Sequence, residues 1–220
     1  MNEILSFLYD LQENNNRQWF QEHKGEYEKA KEQFHKLINR LLIELSKNNA
    51  GFSGLEAGDC AFRIYRDVRF SKNKEPFKTH FGAYMAPSGR NSDKAGFYIH
   101  IQPGESLAGG GLYCPQPDFL NAVRTEIYNN AKEFKGIIHA QSYTSAFGEL
   151  SGDQLKTAPK GFPKDFEDIA LLRYKEYLST KKFSDNEVLE SSFEKKVLAL
   201  FEVQKPLNEY INKAINELTK

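Results

Sequence analysis

The sequence predicts an α+β fold: a central antiparallel sheet of about four or more strands, packed by N-terminal and C-terminal amphipathic helices. Three observations carry this. Apolar residues recur at steps of three and four toward both ends of the chain. Short strand-like segments separated by Pro, Gly, Asn and Ser occupy the middle. The links between those segments are short, which favours antiparallel neighbours. The helices at both ends have apolar faces that need a partner, and the sheet is the natural one, so residues 1–220 read as a single α+β domain.

Ile4, Leu5, Leu8 and Leu11 form one face of a first short helix. Asn14, Asn15 and Asn16 interrupt it, and an Asn side chain caps the exposed amides of a following helix that carries Trp19 and Phe20 as core anchors. Tyr27, Ala30, Phe34, Leu37, Ile38, Leu41, Leu42 and Leu45 make a continuous stripe, the clearest helix in the chain, ended by Asn48, Asn49 and Gly51. Strands are expected at Ala61 to Arg66, Phe81 to Ala86, Gly96 to Gln102 and Gly109 to Tyr113, as a meander. Helices return with Leu120, Val123, Ile127 and Tyr128 behind an Asp118 cap, then with Ala131, Phe134, Ile137 and Ile138. Ser142 to Phe147 reads as a strand, Gly148 to Lys164 as a loop, Asp168 to Tyr174 as a short helix and Tyr177 to Phe183 as a strand. Two helices close the chain, divided at Pro206.

Lysine plus arginine equal aspartate plus glutamate at 30 each, so bulk attraction to nucleic acid or anionic membrane is not expected and any anion recognition must be local. Cys60 and Cys114 form no C-x-x-C pair, and the five His give no metal spacing, so no metal or cofactor is expected. No run of apolar residues suits a membrane span, and Met1 to Leu11 lacks the basic start of a secretory signal; the expected location is cytoplasmic.

One segment stands out. From Phe62 to His80 there are six Lys or Arg and two acidic residues, a formal charge of +4 in a neutral protein. Arg63, Arg66, Arg69, Lys74 and Lys78 offer donors for phosphate or carboxylate, and Ser71 and Thr79 add hydroxyls. Phe70, Pro76 and Phe77 are expected to pin the loop to the core. If Phe62 and Ile64 face inward, Arg63 and Tyr65 face the other side. On the third expected strand Phe97, Ile99 and Ile101 share one face, and Tyr98, His100 and Gln102 the opposite one. Together with a patch lined by Gly109, Gly110 and Gly111, this face reads as a polar cleft; alternatively its residues are simply solvated or paired with acids. His100 is the candidate acid or base.

These residues resemble the DUF2461 family of conserved hypothetical proteins. The resemblance is carried by Asn15-Asn16-Arg17 with Trp19-Phe20, Phe62-Arg63, Arg66-Asp67, Arg69-Phe70-Ser71, Lys74, Pro76 and Lys78. It continues through His100 with Pro103-Gly104, Gly109-Gly110-Gly111 with Tyr113 and Pro115, and Pro159-Lys160-Gly161-Phe162, to about Lys175. The family pattern has a histidine in an acidic-His-Pro stretch soon after the Pro159 to Phe162 motif; here Phe166 stands there, between Asp165 and Glu167, which counts against a catalytic role for that position. The resemblance implies a soluble bacterial protein and supplies no reaction.

The expected function is binding of a small phosphate or carboxylate metabolite, with or without catalysis, by Arg63, Tyr65, Arg66, Arg69, Ser71, Lys74, Lys78, Tyr98 and His100. The alternative is a protein-interaction or structural module whose end helices pack the sheet and a second copy of the chain. Nucleic-acid binding ranks below both, because Phe62, Phe70 and Phe77 are wanted as core anchors.

Overall fold

The computed structural model describes residues 1–219. Helix α1 (Asn2–Glu13) buries Ile4, Leu5, Phe7, Leu8 and Leu11. Helix α2 (Arg17–Glu22) starts where Asn16 accepts a hydrogen bond from the Trp19 amide, the cap that the Asn run predicts. Helix α3 (Lys24–Asn48) buries the expected stripe from Ala30 to Leu42. A short α4 (Ala57–Cys60) leads toward the basic segment.

The sheet is four-stranded and antiparallel, in the order β1 (Phe81–Met85), β2 (Gly96–Ile101), β3 (Leu107–Leu112), β4 (Tyr177–Lys182). On β2, buried Phe97, Ile99 and Ile101 alternate with part-buried Tyr98 and His100, as the period-2 pattern requires. Helices α5 (Pro117–Asn129), α6 (Ala131–Ile138), α7 (Gln141–Phe147) and α8 (Ile169–Leu172) lie between β3 and β4 in the chain. Helices α9 (Asp185–Leu189) and α10 (Phe193–Leu218) follow.

Four sequence expectations change. Ala61 to Arg66 is not a ladder strand; it makes isolated bridges, Ala61 to Ala83 and Tyr65 to Phe77. Pro76 has no amide hydrogen to donate back, so the pairing cannot propagate. Ser142 to Phe147 is the helix α7, with Tyr143 and Phe147 one turn apart and their rings 5.3 Å from one another. Pro206 lies inside a continuous α10 rather than between two helices. The apolar stripe that includes Leu207, Tyr210, Ile211 and Ile215 stays buried, and its burial outweighs the one hydrogen bond that proline cannot make. Asp118 sits in the first turn of α5, and Gln116 is the cap residue.

The chain divides into two compact units. One comprises residues 1–90, 98–108 and 182–198, and the other 91–97, 109–181 and 199–220. In the first, Phe7 packs against Phe20, Tyr27 and Phe81, and Phe34 stacks on Phe81. In the second, Val123, Ile127, Phe134, Tyr143, Tyr177, Leu207 and Ile211 form a core. Buried Asn208 there donates to the Gly96 carbonyl, and Asn212 bonds both backbone groups of Ala95. No helix among the described residues is long and apolar enough to cross a membrane.

Candidate functional site

The basic segment is fastened at Phe77. Its ring is 2% exposed and stacks on Phe20 at 3.9 Å and 13°. Asn15 closes the same point from α1's end: its amide donates to the Phe77 carbonyl and its oxygen accepts the Phe77 amide, so one side chain mimics a strand partner. Arg66 and Lys78 amides donate to the carbonyls of Pro76 and Ile64. These bonds close residues 67–75 into an excursion and leave Lys78 and His80 at the entry to β1.

Within the excursion the charges meet one another. Arg69 holds both Asp67 oxygens, at 3.0 and 2.6 Å. Lys74 donates to the Val68 carbonyl, and Asn73 to Glu75. Arg66 reaches Ser71 at 3.4 Å and Glu75 at 3.5 Å. Phe70 is 95% exposed and Phe62 38%, so neither pins the segment as expected. Their rings instead lie under cations, Arg69 over Phe70 and Lys78 over Phe62. With Asp67 turning the chain back on Arg69, Phe70 has no core within reach. Ile64 and Phe77 do the burying instead. Tyr65 packs on Phe77 and Phe20 with about half its surface in solvent.

A second group lies on the polar face of β1 and β2. His100 Nδ1 is hydrogen-bonded to the Tyr98 hydroxyl, 3.0 Å away, and Nε2 donates to Gln102 Oε1 at 2.9 Å, so both ring nitrogens are engaged. Gly82 makes this possible, because a Cβ there would press on the Tyr98 hydroxyl. His80 stacks on His100 with ring centroids 4.2 Å apart. Burial, then the neighbouring His100, Lys78 and Arg66, push the His80 imidazole down to about 3. Burial also lowers His100, and burial followed by Arg63 lowers Lys78. Neither Arg63 nor Lys78 has a carboxylate within salt-bridge distance among the described residues. Lys78 and His80 are part-buried and Arg63 is exposed, and the acids that act on the group, Asp67 on Arg63 and Glu105 on His100, are each ion-paired to another cation, Arg69 and Lys182.

A family model of conserved hypothetical proteins, DUF2461, matches residues 3–210. The chain belongs to the DUF2461 family. No curated protein and no solved structure matches it. On this DUF2461 chain the motif residues divide. Arg63, Arg66, Lys78, Tyr98 and His100 fall within one electrostatic neighbourhood. Arg69, Ser71 and Lys74 belong to the outer excursion, and Tyr65 to the aromatic packing. Sequence reasoning gave no site role to His80, Asn15 or Gly82. On β1, buried Phe81, Ala83 and Met85 alternate with Gly82 and Tyr84, and extending that alternation one residue puts His80 on the polar face.

Gly109, Gly110 and Gly111 form most of β3, and a side chain at any of them would strike the carbonyl of Ser179, Gly96 or Tyr177. Neighbouring backbone fills that space, so the glycines line no cleft. Phe166 packs its ring 4.8 Å from Tyr128. Among the described residues no group of three or more His, Cys, Asp or Glu is placed to hold a metal ion. A cleft of about 470 Å³ lies elsewhere, lined by Met1, Leu37, Arg40, Leu189, Phe193 and Glu194, and includes none of the predicted site residues.

Proposed function

We propose that this DUF2461 protein binds a small anion through Arg63, Arg66 and Lys78, beside His80 and His100. One observation supports the reading above others: part-buried Lys78 and His80 lie beside Arg63 and Arg66, neither Arg63 nor Lys78 makes an ion pair among the described residues, and burial together with the neighbouring cations disfavours the charged form of His80. A site that keeps cations together in this way is poised for a ligand that supplies the missing charge. His80 replaces His100 as the candidate acid or base, since His100 has committed both nitrogens to Tyr98 and Gln102. No nucleophile completes a reaction, so the proposal stops at binding. Two unpaired cysteines, one buried and one exposed, suit the reducing cytoplasm, the location this reading assigns to the protein.

The test is thermal stabilisation by inorganic phosphate, phosphomonoesters and carboxylates, measured on the wild type and on the Arg63→Ala, Lys78→Ala double variant. A ligand at 100 times its dissociation constant stabilises by about 2.7 kcal/mol when it binds the folded state alone. Stabilisation in the wild type and its loss in the variant are expected. Silence from every anion would sink the proposal.

Phe70 favours a second reading, an interaction module. Its ring stands almost wholly in solvent at the end of a self-paired loop, as a contact residue does. Oligomeric state by light scattering, with and without Phe70→Ala, tests self-association through it.

A further inference from the structure

The two stacked imidazoles are not equivalent. His100 is held from both sides, and turning it toward a ligand would break two hydrogen bonds. No hydrogen bond engages the His80 ring among the described residues, and one of its faces stacks on His100. Each group facing it from a packed element is either neutral or positive: His100 from β2, Arg66 from the bridge segment and Lys78 from its own strand entry. The nearby acids are engaged. Glu105, which faces His100, is bound by Lys182 at 2.7 Å, Asp67, which is coupled to Arg63, is held by Arg69 at 2.6 Å, and Glu75 lies between Arg66 and Asn73.

We infer that the ligand is a tetrahedral dianion of the phosphate or phosphomonoester class and that His80 takes up a proton when it binds. The inference rests on the anion-binding reading above. Charge selects the class. Arg63, Arg66 and Lys78 bring three positive charges, and Glu75 offsets one of them weakly from 3.5 Å. A dianion balances what remains, whereas a monocarboxylate leaves the cluster positive. Once the dianion is in place, its charge outweighs the repulsion from Lys78 and Arg66 and opposes the burial that disfavours the imidazolium, and the His80 ring nitrogens supply both a site for the proton and a donor toward a ligand oxygen. The proton comes from solvent, and no covalent bond forms or breaks.

Isothermal titration with sodium sulfate tests this directly. Sulfate carries no proton of its own near neutral pH, so a proton taken up lands on the protein. Binding heats in buffers of different ionisation enthalpy, near pH 7, should report uptake of up to about one proton per sulfate. His80→Gln should bind with the uptake abolished, and acetate should bind the wild type at least about tenfold more weakly than sulfate or phosphate. Histidine ring shifts in wild-type protein, followed by nuclear magnetic resonance, should move His80 toward the imidazolium on adding sulfate, a readout that needs no variant to fold. If sulfate and phosphate bind without proton uptake, or the uptake survives in His80→Gln, the inference fails while the anion site stands. If neither dianion binds the wild type, the anion site itself fails.

Discussion

Between Asp67 and Glu75, Arg69 grips a carboxylate and Lys74 a carbonyl, all near the surface. A few residues away on either side, part-buried Lys78 and His80 gather beside an exposed Arg63, and neither Arg63 nor Lys78 makes an ion pair among the described residues. The formal +4 of the segment gives no hint of this division. A local count of charge says how many cations there are; the turn at Asp67 and the bridge at Phe77 decide which of them remain unbalanced. Surface pairs such as Asp67 with Arg69 contribute little to stability, whereas an unbalanced half-buried cluster has a ligand-sized electrostatic consequence.

The sharpest way to break the contrast is to unfasten the segment. Phe77→Ala removes a ring that is 2% exposed and stacked on Phe20, and should cost about 3–5 kcal/mol in urea denaturation. Loss of anion binding should accompany it. Asn15→Ala should cost about 1–3 kcal/mol, because both backbone groups of Phe77 lose their partner.

Acid gives an intermediate effect with a defined sign. His80 binds its proton more weakly in the folded state, where its pKa falls to about 3 from 6.5. Its contribution is therefore intact above about pH 6.5 and lost as pH falls toward 3. The wild type should lose up to about 1.4 kcal/mol per pH unit in that window relative to His80→Gln, less for partial exposure. Parallel stability curves for the two proteins between pH 7 and 4 would contradict the depressed titration of His80.

The smallest effects test the contrast by sign. Lys78→Met keeps the stem that lies on Phe62 and removes a repelled charge, so the melting temperature should rise slightly at low salt, and less at high salt. Arg69→Ala should leave the melting temperature unchanged or slightly lower. Mixed-sequence single-stranded DNA should show no submicromolar binding at physiological salt by fluorescence anisotropy, and Arg66→Ala with Arg69→Ala should not alter that result.

Helix α3 and strand β2 were legible because their periods run long enough to exclude alternatives: the stripe from Ala30 to Leu42 suits one helix face, and Phe97, Ile99 and Ile101 suit one sheet face. The placement of Tyr98, His100 and Gln102 together followed from the latter. Helix α7 was not legible, since seven residues with Tyr143 and Phe147 four apart fit either period. The division at Pro206 failed because a local backbone penalty was weighed without the packing that overrides it. Phe70 was misplaced because hydrophobicity says what a ring prefers, and the Asp67–Arg69 turn decided where it went. His80 was given no face because it lies at the seam between loop and strand, where neither period yet applies.

The glycine strand also has a consequence in time. Residues 81–112 deliver β1, β2 and β3 in close succession, but residues 113–176 must be made before β4 appears. At roughly 5–20 residues per second, ribosomal synthesis leaves the outer edge of β3 unpaired for about 3–13 s. Edges are normally guarded by charge, bulk or proline, and Gly109, Gly110 and Gly111 have none of these. The feature that lets neighbouring backbones approach so closely in the finished sheet therefore leaves the nascent chain with a bare row of peptide groups, open to any extended segment that arrives before β4.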